Sequence, residues 1–163
     1  MTKIYPVAYL AAQIEQLAEN RQRRMMSKSS LHQGQGKIVL LLYGLGPQSQ
    51  AGIARCLQLS SATVALTIRR LEKEGCVKRK RDLLTNRAQI VELTAKGEEC
   101  ARIAARIWDD VNADMTLGFT EEDKNTLSGL LRRVRDNLSG TPMDGYDAVA
   151  GRLFGLNPAK EAL

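Results

Sequence analysis

The sequence predicts a mainly α-helical fold with one small β-hairpin, and three observations predict it. Apolar residues recur at spacings of three and four through most of the 163 residues, as they do on one face of an amphipathic helix. Near the middle of the chain this period gives way to two strand-like runs, VKRKR and AQIVEL, separated by the polar tip DLLTNR. Just before them, two short apolar-faced helices, SQAGIARCLQL and SSATVALTIRRLEKEG, meet at a tight polar turn. Helices joined this way and followed by a basic hairpin make a winged helix-turn-helix, which can set one helix in the DNA major groove with the hairpin beside it.

Each element has its own signal. Val7, Leu10, Ile14 and Leu17 give a first helix with one apolar stripe, running on through RQRRMM and ending near Ser27–Ser30. A second helix over Gln35–Tyr43 carries Ile38, Val39, Leu41 and Leu42 nearly all round, which makes it central; Gly44, Gly46 and Pro47 end it. Ser49 is a good N-cap for the third helix, whose inner face is Ile53, Ala54 and Leu57. Leu59, Ser60 and Ser61 form the turn, and either serine can cap the fourth helix. Its inner stripe is Val64, Ile68 and Leu71, and Gly75 suits the left-handed position just past its end.

That inner stripe sends Ser61, Ala62, Ala65, Leu66 and Arg69 outward. Small apolar groups there can sit against thymine methyls, while Ser61 and Thr63 can bond base edges or phosphate. The plainer reading is that Ala and Leu are good helix formers. With the turn residue Ser60 and the cation Arg70, the expected DNA face of this helix is Ser60, Ser61, Ala62, Thr63, Ala65, Leu66, Arg69 and Arg70. In the hairpin, Lys78, Arg79, Lys80 and Arg81 are poor core material but good phosphate ligands, and Arg87 at the tip suits the electronegative minor groove.

After the hairpin, Thr94 caps a long helix with Gly97 in its first turn and Ile103, Ile107, Trp108 and Val111 as its stripe. A last helix begins at Thr120, with Asp123 placed for a capping box, and carries Leu127, Leu130, Leu131, Val134 and Leu138. One small winged-helix core cannot easily cover the stripes at 7–17, 103–111 and 127–138. A second copy can, and its two-fold symmetry then matches a palindromic site; packing within one chain is the alternative. The organisation expected is a dimerisation helix over 1–30, a DNA-binding lobe over 31–95 and dimerisation helices over 96–139. A linker and short tail follow over 140–163, where Tyr146, Val149, Leu153 and Phe154 can make one short amphipathic helix.

Charge agrees with this layout. The net charge is +6 with a pI near 9.4. Residues 69–87 hold eight Lys/Arg against three Asp/Glu, a balance of +5, whereas 88–163 hold nine against thirteen, a balance of −4. A basic surface for a polyanion is thereby separated from an acidic region with another task. No apolar run approaches the ~20 residues that span a bilayer, and the N-terminal stretch lacks the features of a secretion signal, so the expectation is a cytoplasmic protein. Cys56, Cys76 and Cys100 form no CxxC pair and His32 is the single histidine, so neither a metal nor another cofactor is expected. Nor is an enzyme: QGQGKI lacks the Walker spacing, one histidine leaves no catalytic triad, and Glu121, Glu122 and Asp123 fit a helix N-terminus.

The segments LHQGQGKIVLLLYGLG, SQAGIARCLQLSSATVALTIRRLEKEGCVKRK and NRAQIVELTAKGEE, with their LEKEG–V–R and LTAKG landmarks, resemble the MarR family of winged helix-turn-helix regulators over roughly Leu31–Leu138. The resemblance implies a transcriptional regulator, most often a repressor, that is an obligate triangular homodimer on a pseudo-palindromic double-stranded operator. Two departures stand out. The wing positions that usually read Asp–X–Arg are Thr85, Asn86 and Arg87, and Ala65 and Leu66 fall where a Thr–Arg pair is common. Fewer polar readers imply a preference resting on methyl contacts and DNA shape.

The resemblance also implies release by a small phenolic or lipophilic effector bound where the dimer arm meets the lobe, near Tyr9, His32, Tyr43 and Trp108. Some relatives sense oxidants instead. Cys56 beside Arg55 is the candidate thiol, Cys76 reads as buried and inert, and Cys100 has acidic neighbours. From another class altogether, the shortage of polar groups on the fourth helix fits a winged-helix protein-interaction module without specific DNA binding.

Overall fold

The computed structural model describes residues 6–27, 33–81 and 89–140. The elements are α1 (Val7–Met26), α2 (Gln33–Leu45), β1 (Gln48–Ser49), α3 (Gln50–Leu57), α4 (Ser61–Lys73), β2 (Val77–Arg81), β3 (Gln89–Leu93), α5 (Ala95–Met115) and α6 (Glu121–Ser139). α2 is the hub. Ile38, Val39, Leu40, Leu41 and Leu42 are all buried, so α2 meets α5 and α1 on one side and the winged-helix elements on the other. It runs through Gly44 and stops at Gly46, whose φ of 78° only a glycine adopts without strain.

Residues of α3, α4 and the sheet close the core beneath α2. Ile53, Val64, Ile68, Leu71 and Val91 are each at most 1% exposed. At about 25 cal/mol per Å² of apolar surface removed from water, their burial drives the lobe's folding. Leu57 is only half-buried, because α3 ends there and the chain turns away. Gln58 takes a left-handed φ of 51° as its C-cap, and the chain bends by 117° between α3 and α4. That crossing is in the range of a helix-turn-helix.

The sheet has one strand more than the expected hairpin. β1 is two residues long, too short to show a period, and pairs antiparallel with β3 at Gln48↔Val91 and Ser49↔Ile90. The order is β1-β3-β2, with β2 and β3 in register from Val77↔Leu93 to Arg81↔Gln89.

The caps fall where the residue types put them. Ser49 accepts a bond from Gly52 N, Thr94 from Gly97 N and Thr120 from Asp123 N. Asp123 returns the bond to Thr120 N, so the capping box is complete. Those bonds from Thr120 hold the Asp123 carboxyl below its ordinary pKa.

The three apolar stripes have different fates. Ile107 and Val111 are buried within the chain, on a helix that packs against α1 and α2, which corrects the expectation that the 103–111 stripe waits for a partner. α1 is clasped to α5 by Arg21 and Asp114, 2.7 Å apart, and buries only Gln22 and Met26. Its Val7, Leu10, Ile14 and Leu17 stay exposed, and α6 buries no residue at all.

Candidate nucleic-acid interface

α4 is set by both ends. Ser60, not Ser61, is its N-cap: the Ser60 hydroxyl accepts from Thr63 N at 3.1 Å and lies 2.8 Å from the Thr63 Oγ1. Of the three hydroxyls on the expected DNA face, those of Ser60 and Thr63 are therefore already bonded to each other. Ser61 is left as the outward hydroxyl of the first turn.

At the far end, Glu74 caps α4 and its carboxylate receives the Gln35 amide at 2.9 Å on both oxygens. Gly75 follows with φ 73°. Three bonds tie this corner to α5 and the residue before it. Lys96 Nζ donates to Glu74 O at 2.6 Å, Thr94 Oγ1 to Gly75 O at 2.6 Å, and Thr94 N to Cys76 O at 3.0 Å.

Between those ends, Ala62, Leu66, Arg69 and Arg70 are exposed, and Leu66 keeps 49% of its surface. Ala65 is half-buried, so the small apolar patch is narrower than the helical wheel implies. Among the described residues, Arg69, Arg70 and Lys73 make no ion pair. α4 thus offers a convex face with an apolar centre and a cationic end.

The wing strand is less uniform than its sequence. Strand alternation puts Lys78 and Lys80 on the outer face with Glu92, whose carboxylate bonds Lys80 at 2.7 Å and Lys78 at 3.0 Å. Those hydrogen bonds, Lys80's first, hold the Glu92 carboxyl below its ordinary pKa. Arg79 lies on the opposite face above buried Val77 and Val91, where Glu72 of α4 takes its Nε at 3.0 Å and Gln89 lies 3.4 Å away.

Of the four cations expected to hold phosphate, Arg81 alone makes no ion pair to a described residue. The sequence carried the clue to the clamp in Glu92: in a hairpin of this length it falls opposite Lys78. Arg87 and the wing tip lie outside the described residues, as does His32. Of the other aromatics expected near an effector, Tyr9 and Tyr43 are exposed and Trp108 packs half-buried on the core. Among the described residues, no three His, Cys, Asp or Glu side chains converge, and no single helix is long and apolar enough to cross a membrane.

The MarR family model matches residues 31–86, the stretch containing α2 to β2 and the wing tip. Over that stretch, about a third of its 163 residues, the chain is similar to the MarR family. Its relatives include the HTH-type transcriptional regulator YdgJ of Bacillus subtilis, 26% identical over 68% of this chain and 68% of that protein. YwoH, also an HTH-type transcriptional regulator of B. subtilis, is 28% identical over 78% of this chain and 95% of its own length.

The fold agrees. A MarR-family regulator of Listeria monocytogenes, solved in complex with 26mer DNA, superposes with a TM-score of 0.77 at 20% identity over 90% of this chain and 94% of that one. BpsR of Bordetella bronchiseptica, whose DNA binding is regulated by 6-hydroxynicotinic acid, does so with 0.71 at 20% identity over 80% and 98%. The chain thus shares the winged-helix fold of these regulators.

Proposed function

We propose that the protein is a homodimeric, sequence-specific DNA-binding repressor that a small molecule releases from its operator. The observation that carries the DNA-binding part is the exposed face of α4. Ser61, Ala62 and Leu66 lie where a groove-reading helix meets bases, with Arg69 and Arg70 beside them for the backbone. The DNA complex of the Listeria relative supports it. Arg81 and Arg87 take the flanking phosphates and minor groove in this reading, while Lys78, Lys80 and Arg79 act through a field already shared with Glu92 and Glu72.

The dimer rests on α6, which has no buried residue, and on the bare stripe of α1; residues 1–30 and 96–139 are its proposed elements and 31–95 the lobe. BpsR supports control by a small molecule, for which a phenolic or lipophilic compound is the expected class.

The test is binding to DNA from upstream of its own gene, titrated across salt beside a scrambled duplex. A specific regulator prefers the upstream fragment and loses affinity steeply as salt rises, with a log–log slope of about −0.9 per phosphate contacted. Equal, weak binding to both duplexes overturns this reading. It would favour the protein-interaction alternative, for which the apolar centre of α4 is then the docking face.

A further inference from the structure

Cys76 and Cys100 are distant in sequence and in contact in space. Cys76 stands between the end of α4 and the start of β2, Cys100 in the second turn of α5, both buried, with their sulfurs 3.5 Å apart. Cys76 is buried as its position in the sequence implies, and its contact with Cys100 is one that spacing does not show. The contact has a backbone cause. The bonds from Thr94 and Lys96 draw α5 onto the Glu74–Cys76 corner. Gly97 permits that approach, since a Cβ there would collide with the Cys76 carbonyl. Cys100 lies one turn beyond Gly97 on the same helix face, so the approach that needs the glycine also sets the second sulfur on the first.

We propose that Cys76 and Cys100 are an oxidisable dithiol, which a hydroperoxide closes to an intramolecular disulfide that staples the wing at its root. A disulfide needs about 2.05 Å between sulfurs, so the pair has about 1.5 Å to close. The electrons balance in two steps. One thiol gives up its proton and its sulfur attacks the peroxide, breaking the O–O bond to leave a sulfenic acid and an alcohol or water. The other sulfur then displaces the sulfenic hydroxyl, which leaves as water with that thiol's proton. Each sulfur gives up one electron and the peroxide takes both.

Two features set the response. Burial, then the neighbouring Cys100 sulfur, pushes the Cys76 thiol up to about 11; Glu74 pushes the same way and Lys96 opposes it. A raised thiol pKa leaves little thiolate near neutrality, which slows the first attack on the peroxide. The partner sulfur in contact then captures the sulfenic acid before it oxidises further.

The bond would enclose both wing strands and join the end of α4 to α5. Its regulatory effect rests on the DNA-binding reading above: pulling the wing root toward α5 misplaces α4 in both half-sites at once. The expected loss of operator affinity is tenfold or more, restored by a dithiol reductant.

Full-length protein treated with hydrogen peroxide, then denatured and alkylated, decides the site. Its intact mass should fall by two hydrogens before alkylation, one of its three thiols should take up the alkylating agent, and peptide mapping should join Cys76 to Cys100. Cys56→Ser should keep the link, while Cys76→Ser and Cys100→Ser should each lose it; circular dichroism checks that these variants fold. Wild-type mapping decides alone if they do not. Three thiols remaining alkylatable, or a bond through Cys56 or between chains, overturns the dithiol. A mapped disulfide with unchanged operator affinity overturns the switch. Reduced protein that binds no DNA counts against the DNA-binding reading, and the mapping still decides the dithiol.

Discussion

The lobe and the arms of this chain are built on opposite terms. In the lobe, Ile38, Ile53, Val64, Ile68 and Leu71 have no exposed surface, because α2, α3, α4 and the sheet close over them. In the arms, α6 buries nothing and its Leu130 and Leu131 each keep 51% of their surface. The lobe's fold is explained by its own residues. The bare stripes of α1 and α6 are not explained by packing among the described residues, because a leucine stripe held in water contributes nothing to the stability of the subunit that bears it.

The contrast can be broken most directly at the lobe. Ile68→Ala should cost about 2–5 kcal/mol, since the cavity lies where α4 meets the core and has no route to collapse. Urea denaturation measures it, and a loss under about 1 kcal/mol would show a looser core than this one. Overpacking is the converse probe: Gly97→Ala should cost about 1–3 kcal/mol by forcing α5 off the Cys76 carbonyl.

At the arms the same measurements should separate stability from assembly. Leu130→Asp with Leu131→Asp should turn a dimer into a monomer in sedimentation while leaving the lobe's near-ultraviolet spectrum unchanged. A variant that stays dimeric removes α6 from the interface. Thr120→Ala should cost about 1 kcal/mol through the lost capping box, and should weaken the dimer before it weakens the lobe.

The smallest effect sharpens the picture of the wing. Glu92→Gln should free Lys78 and Lys80 and raise DNA affinity a few-fold at low salt, an increase that disappears as salt rises. The pH dependence has the same origin. Because the folded Glu92 carboxyl titrates below its ordinary value, its contribution to stability is present above that value and is lost as pH falls through the lower, folded one. A carboxyl titration followed by NMR should place Glu92 below an exposed glutamate.

Much of this was legible in the residues, for reasons that differ between elements. Val64, Ile68 and Leu71 announce α4 because a helix period cannot hide, and Ser49, Thr94 and Thr120 announce caps because the hydroxyl has a fixed task there. Gln48 and Ser49 announce nothing, since two residues have no period; β1 exists only because β3 offers it an edge. The VKRKR run reads as one cationic ribbon, but alternation splits it, and the acids that neutralise it come from β3 and α4. Ile107 and Val111 read as an interface, but both are buried within the subunit, on a helix that packs against α1 as well as α2. Cys76 and Cys100 meet through a glycine three residues before one of them, a relation no spacing rule contains.

The tie between Gln35 and Glu74 has a mechanical consequence. α4 is thirteen residues long, hence about 20 Å, and it is gripped at its Glu74 end while Ser61 stands at the other. A pivot at one end of a rod magnifies angle into distance: a tilt of about 5° there sweeps the Ser61 tip through about 1.7 Å. That is half the spacing of successive bases along a strand, about 3.4 Å. The amide of a single buried glutamine in α2 thus works as the set-screw on a pointer, and a small turn at the screw is a large displacement at the tip.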